Sequence, residues 1–398
     1  MAKGKSIHIE GEVDKIQRVE RDDLADLIIS SANKIQKDGA KVAYYLDEQE
    51  DASMITDWVS TGSTLLDLAI SNRKNGGLPC GRTVSFSGLE STGKSLFCAH
   101  ILAETQRKGG MGVMIDTEFA SAPDFWKAIG VDISKLPYIN LVTVEEIFSH
   151  IEHYIGVVRK VNSGRLLTII VDSLAQASCE TEMESEHGKD GYNTAKSIIV
   201  SKALRKMTGL LAKQRVLLVF TNQLRFNMKA AGYGDPYIEP TGKALAFGCS
   251  VRIRLSNTGQ IKKGDYIIGN KCKAVVIKNR MVPPRRSAIF EIHYDSGIQD
   301  LKSWLDFLKE HSMITGTSAK WTFKLTSGEY KLSTHEFVEK VNTDAAFKDE
   351  VYSMICDKQI MKYRNPNSKI EEDGIEIDEN PTDEENEVVD VDKQVKDA

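Results

Sequence analysis

The chain has 398 residues, of which 41% are hydrophobic and 27% charged, the balance of a globular protein of two or three domains. No run approaches the roughly 18 apolar residues that a membrane helix needs, and the polar stretch 1–14 does not read as a secretory signal. The six cysteines are scattered, with neither C-x-x-C nor metal spacing. That pattern excludes a disulfide scaffold and predicts reduced, buried thiols in an intracellular, cytoplasmic protein. The net charge of −5 conceals an asymmetry. Residues 371–398 hold 13 Asp or Glu against Lys393 and Lys396, a local net of −11 that leaves +6 on the other 370 residues. A mildly basic body with an acidic tail predicts a polyanionic partner and a tail that competes for the same surface; a merely solubilising tail fits the charge equally.

In chain order, residues 1–14 read as a disordered arm. Residues 21–36 have helical spacing, with Leu24, Leu27, Ile28, Ala32 and Ile35 on one face. A short strand is expected over 41–46, before the acidic loop 47–51. The main domain starts near Trp58. From there short apolar, β-branched runs at 83–86, 112–115, 166–171 and 216–220 alternate with helical patterns, one of them over 95–108. Continuous apolar strands of this kind imply a parallel sheet covered on both faces. Runs at 251–255, 265–268, 273–277 and 288–294 follow closely, with turns between them, and predict an antiparallel extension of that sheet. A small α/β unit is expected over 301–363, with helices at 304–310, 335–341 and 345–358. Asn365-Pro366-Asn367-Ser368 then opens a disordered tail. The fold class is therefore α/β, divided into an N-terminal arm, helix and strand over 1–57, a core 58–300, a small C-terminal unit 301–366 and an acidic tail 367–398.

The chemistry begins at Gly88-Leu89-Glu90-Ser91-Thr92-Gly93-Lys94-Ser95, which fits G-x-x-x-x-G-K-[ST] between a predicted strand and a predicted helix. The glycines let backbone N–H groups close around a polyphosphate. Lys94 supplies a point charge to its outer phosphates, the Ser95 hydroxyl completes a Mg²⁺ shell, and Leu96 continues the helix behind them. In such a sheet the ligand lies at the C-terminal strand ends. The strand over 166–171 runs into Asp172, a carboxylate placed to hold Mg²⁺ directly or through water. The strand over 112–115 runs into Asp116-Thr117-Glu118, so either carboxylate is a candidate to polarise an attacking water. Gln223 ends the strand over 216–220, where it could sense a γ-phosphate or serve as an ordinary loop amide. Behind it, Arg225, Asn227, Lys229, Tyr233, Tyr237, Gly242 and Lys243 make a glycine-containing basic stretch with interleaved aromatics, suited to phosphates and bases. A second polar stretch, 181–193, precedes a helix bearing Lys196, Lys202, Arg205 and Lys206. Solvated loops and helix faces would carry the same residues. Lys278 and Arg280 flank Asn279 at a strand end; they suit transition-state charge or a solvated basic turn.

Together these residues resemble the RecA family of recombinases. Ser60-Thr61-Gly62-Ser63, Gly77-Leu78-Pro79 with Gly81-Arg82, the P-loop, Ile115-Asp116-Thr117-Glu118, Gly130-Val131-Asp132, Val171-Asp172-Ser173, Asn222-Gln223-Leu224-Arg225 and Lys278-Asn279-Arg280 follow in that family's order. The resemblance spans residues 22–363, and the divergent C-terminal unit is similar to that of phage-encoded recombinases of the UvsX type. It implies a RecA-like core that takes ATP and Mg²⁺, with Glu118 as base and Gln223 as γ-phosphate sensor. It implies that Phe125 stacks on adenine, with Ala122 where bacterial members often carry an Asp. It implies that Lys278 and Arg280 reach the ATP of a neighbouring protomer. Two DNA loops are implied, near 180–194 and 225–242. Ser201 and Arg205 follow the first, whose own acidic residues depart from the family's pattern. Tyr233 stands at the tip of the second, in Tyr233-Gly234-Asp235-Pro236. The implied partners are single-stranded DNA, homologous duplex, further copies in a helical filament, and loader and single-strand-binding proteins. A RecA-fold hexameric helicase and a non-hydrolysing mediator are the alternatives.

Overall fold

The computed structural model describes residues 22–36, 41–45, 54–120, 122–162, 164–183, 192–226, 237–239, 243–317 and 319–363. The chain groups into two compact units, Met1–Ile360 and Met361–Ala398. The acidic tail lies outside the described residues, as does the arm before Asp22.

The first unit is built on one nine-stranded sheet. Its strands in chain order are β1 (Thr83–Gly88), β2 (Met111–Asp116), β3 (Tyr138–Asn140), β4 (Leu167–Asp172), β5 (Val216–Gln223), β6 (Val251–Lys263), β7 (Tyr266–Asn279), β8 (Ser287–His293) and β9 (Gly297–Ile298). Across the sheet they lie in the order β9-β8-β7-β6-β1-β5-β4-β2-β3. The six strands from β6 to β3 pair in parallel, and β7, β8 and β9 extend the sheet antiparallel. This is the mostly parallel sheet with an antiparallel extension that the apolar runs predict.

The apolar runs cover two faces because successive side chains point to opposite sides. Met114, Ile170, Leu217 and Val219 join one buried cluster, with the helix Lys94–Arg107 over it. Val113, Ile115, Ile169, Val171, Leu218 and Phe220 join the other, under the helices Val144–Val161 and Tyr192–Gln214. Phe86 stacks on Phe97 at 5.1 Å between ring centroids, which fixes the P-loop helix on its sheet. A capping box of Thr143 and Glu146 starts the helix Val144–Val161.

The Ser60–Ser63 turn wraps a buried carboxylate. The Ser60 hydroxyl and the Thr61 N–H and hydroxyl all donate to Asp67, whose pKa burial pushes up to about 7. Thr64 donates from backbone and hydroxyl to Asp300, pushed by burial up to about 6. This turn therefore ties the start of the core to the helix Asp300–Glu310.

The C-terminal elements comprise a small antiparallel sheet, Thr315–Gly316, Trp321–Leu325 and Gly328–Leu332, and the helices Thr334–Thr343 and Ala345–Gln359. Phe323, Phe337 and Phe347 fill their centre, with ring centroids 5.2 to 6.3 Å apart. The same buried cluster continues into the main sheet.

Two expectations change. Residues 41–45 form no strand; the Asn33 side chain instead bonds the backbone of Val42 and Ala43, which satisfies the groups a partner strand would take. The runs 265–268 and 273–277 are one strand, because β7 continues through 269–272 to pair with both β6 and β8.

Candidate functional site

Strand register brings the chosen residues to one edge. Gly88 lies opposite Gln223, and Asp116 opposite Asp172, at the C-terminal ends of neighbouring parallel strands. Val171 pairs with Phe220, so Thr221 of β5 sits beside Asp172 and its hydroxyl donates to that carboxylate.

The P-loop conformation requires glycine at two points. A Cβ on Gly88 would meet Thr92 Oγ1 at 2.5 Å and the Leu255 carbonyl at 2.9 Å. Gly93 has φ of +93°, the left-handed region that opens the helix Lys94–Arg107. The Lys94 ammonium donates to the carbonyls of Gly88 (3.1 Å) and Leu89 (2.6 Å). Burial lowers its pKa, while the carboxylates of Asp172, Glu118 and Glu90 act in the opposite sense. Ser95 Oγ donates to Asp172 at 2.7 Å. Burial pushes Asp172 up, and the hydroxyls of Thr221 and Ser95 pull it back. A serine hydroxyl, a carboxylate and a glycine-lined loop beside a lysine fit a triphosphate and a hard cation. Among the described residues no group of three or more His, Cys, Asp or Glu could hold a metal ion.

The two carboxylates after β2 have different surroundings. Asp116 is buried and accepts from the backbone N–H groups of Glu118 (2.8 Å), Phe119 (3.0 Å) and Ala120 (3.1 Å), and from the Tyr138 hydroxyl. It shapes the turn. Glu118 is exposed and touches the Ser173 hydroxyl at 2.8 Å. Gln223 donates to Glu90 of the P-loop at 3.2 Å. Phe125 is half-buried in the helix Pro123–Ile129, edge-on to Trp126.

Lys278 and Arg280 lie elsewhere. Lys278 pairs with Arg252, which pairs with Ser85 near the start of β1. Lys278 is therefore set back along the strands from the end that carries the P-loop. Lys278 donates to the carbonyls of Ala246 (2.6 Å) and Phe247 (3.1 Å), and Arg280 to Phe247 (2.7 Å). Burial lowers the Lys278 pKa, and Arg280 adds to the effect.

Of the basic stretches, Ser201 is half-buried and Arg205 exposed on the helix Tyr192–Gln214. Lys196 is not on a basic face: it is buried, and its ammonium turns back to the Ala175 carbonyl at 2.8 Å. Arg225–Phe226 and Tyr237–Ile238 pair as an antiparallel ribbon at the base of the second loop. Asn227, Lys229, Tyr233 and Gly242 lie outside the described residues, and only the backbone of Lys243 is described, at the start of the helix Lys243–Gly248.

Sequence reasoning missed a buried ion pair beside Gln223. Glu239, next to that ribbon, pairs with Arg252, and Asn222 Nδ2 donates to Glu239 at 3.2 Å. Asn222 stood in the quoted motif, but no spacing pattern points from it to Glu239 or Arg252. It also missed Asn257, Asn270 and Cys272, which bond carbonyls of the P-loop.

Residues 27–299 match the family model described as the RecA N-terminal domain. The curated protein named Protein RecA of Clostridium acetobutylicum is 34% identical over 348 residues, covering 86% of this chain and 95% of its own. That of Chlorobium limicola is 34% identical over 299 residues, 75% of this chain and 81% of its own. That of Acinetobacter baylyi is 36% identical over 267 residues, 67% of this chain and 73% of its own. These matches speak to the family and not to a UvsX-type subgroup. The chain belongs to the RecA family.

Proposed function

We propose that this chain is an ATP-dependent DNA recombinase that polymerises on single-stranded DNA and pairs it with homologous duplex. Family membership and the convergence of P-loop, Asp172, Glu118 and Gln223 at one sheet edge support this reading. In it, Lys94 and the P-loop N–H groups bind the phosphates of ATP, and Phe125 flanks the base. Ser95 and Asp172 would hold Mg²⁺, which would supply charge compensation to the phosphates. Glu118 accepts a proton from the attacking water, and Ser173 fixes its position. Gln223 reports the γ-phosphate to the ribbon behind it, to which the Asn222–Glu239–Arg252 contacts give a route. Ser201, Arg205, Arg225, Asn227, Lys229, Tyr233, Gly242 and Lys243 are the residues this reading assigns to DNA binding; backbone contacts give affinity, and base pairing gives sequence specificity.

The observation that carries the reading is the placement of Lys278 and Arg280 away from their own P-loop. Register sets Lys278 level with Ser85, three positions before Gly88, which is about 10 Å along a strand. On this reading the two cations serve the nucleotide of a second copy, and assembly completes the ATP site. Residues 1–57 then act as the docking segment, 58–300 as the ATPase core, and 301–366 as an appended unit. Electron micrographs of the protein with single-stranded DNA and a non-hydrolysable ATP analogue test this reading. Helical filaments are expected; closed rings that unwind forked DNA would instead make the chain a helicase.

A further inference from the structure

The phosphate loop does not hold its shape alone. Ser91, at its crest, has φ of +58° although it is not glycine. Its carbonyl accepts from Asn270 Nδ2 at 3.3 Å and from Asn257 Nδ2 at 3.4 Å. The next carbonyl, that of Thr92, accepts from Cys272 Sγ at 3.5 Å. All three side chains belong to β6 and β7. Asn270 is 7% exposed and Cys272 fully buried, so both are fixed by packing.

A trans peptide points its N–H opposite to its C=O, and these peptides are trans. Drawing the Ser91 and Thr92 carbonyls toward the hairpin therefore turns the N–H groups of Thr92 and Gly93 away from it. Released, those peptides could rotate, and a donor would have to be reordered whenever an anion bound. Held, they are preorganised donors. Glycine at Gly93 gives the freedom to reach this arrangement, and the two amides remove it again.

We propose that Asn270, assisted by Asn257 and Cys272, is a positioning residue that presets the Thr92 and Gly93 N–H groups for the phosphates of ATP. This rests on the assignment of Gly88–Ser95 as the nucleotide site. It also ties the shape of that site to the hairpin. Beyond Leu255 in β6 the strand is largely exposed, and the turn carries Lys262, Lys263 and Tyr266 at its tip. Asn257 and Asn270 stand at the root of this arm.

The test uses the full-length chain and a fluorescent ATP analogue with Mg²⁺. Asn270→Ala removes the buried donor, and the Asn257→Ala/Asn270→Ala pair removes both amides. The expected result for the pair is a Kd raised about tenfold, as for loss of a preset hydrogen-bonding group. On single-stranded DNA, KM for ATP rises in proportion while kcat at saturation changes less than about twofold. A role in folding alone would lower Tm and kcat together, and Asn270→Thr, which restores a donor, recovers part of the affinity only under the positioning role. Should the double variant be too unstable to measure, Asn270→Ala alone must show a rise of about threefold. Unchanged Kd and KM would overturn the inference. Lys94→Ala separates the two levels. If it weakens binding and the asparagine variants do not, only the positioning role falls; if Lys94→Ala is also silent, the nucleotide site itself is misassigned.

Discussion

Asp116 and Glu118 are two residues apart at the end of one strand, and their hydrogen bonds distinguish them. Asp116 receives three backbone N–H groups and the Tyr138 hydroxyl, so it is committed to the turn. Glu118 receives only the Ser173 hydroxyl among its described contacts and faces the strand ends. Sequence spacing left both open, since each is a carboxylate at a strand tip; backbone geometry separates them. Glu118→Gln keeps the size and the hydrogen bond from Ser173 but cannot take a proton. It should retain affinity for ATP and for DNA while DNA-stimulated phosphate release falls by about 10² or more. Phosphate release at the parent rate would show that another group is the base. Lys196 shows the limit of reading single residues. It sat in a basic run on a predicted helix, yet its ammonium is buried on the Ala175 carbonyl. Charge alone does not tell which turn of a helix faces inward.

At the scale of elements, the parallel strands were legible because burial on both faces makes each a continuous apolar run. β1, β2, β4 and β5 lie within two or three residues of their expected positions, and the P-loop, Asp172 and Gln223 come with them. The long arm of β6 and β7 was not legible in the same way. Its residues beyond Leu255 are mostly exposed, so they lack the apolar period that marks a strand, and the hairpin read as separate short pieces. The clasp of Asn257 and Asn270 on Ser91 was hidden for the same reason: it depends on register across that arm. Register also places Lys278 and Arg280 away from their own P-loop, which leads to a prediction about pairs of protomers. Lys278→Ala should lose DNA-stimulated hydrolysis, as Glu118→Gln should. In an equal mixture the two defects fall on different partners. Where a Lys278→Ala protomer offers its intact Glu118 to a Glu118→Gln neighbour's Lys278, the site is whole. With head-to-tail contacts, roughly a quarter of interfaces should be active. Steady-state ATPase rates of the mixture, compared with each variant alone, measure this. A mixture no more active than its components would place both groups in the same protomer's site.

At the scale of the whole molecule, one apolar face stands uncovered among the described residues. The helix Asp23–Ile35 is capped by Asp22, whose side chain accepts from the Leu24 N–H at 2.8 Å, yet none of its residues is buried. Leu24, Leu27, Ile28 and Ile35 are 65 to 74% exposed on one face. Four large apolar side chains at helical spacing, uncovered among the described residues, match the proposed assembly in which neighbours complete the ATP sites. Burying such a side chain contributes about 1.5–3 kcal/mol, so two of them decide whether weakly associating copies polymerise. Leu27→Glu with Ile28→Glu removes no contact in the folded core, and the unfolding free energy should change by less than about 0.5 kcal/mol per site. Assembly should fail: sedimentation velocity with ATP and Mg²⁺ should show a single slow species where the parent forms large ones. On the proposed reading DNA-stimulated hydrolysis should fall with it, because isolated protomers would lack a neighbour's Lys278 and Arg280. Nucleotide affinity should persist, since the P-loop, Asp172 and the asparagine clasp lie within one chain. If the variant still sediments as large assemblies, this face is not the docking surface, and the completion of the site must be sought through another contact. If assembly fails while hydrolysis continues at the parent rate, the site is complete in one copy, and the cations of β7 have some other task.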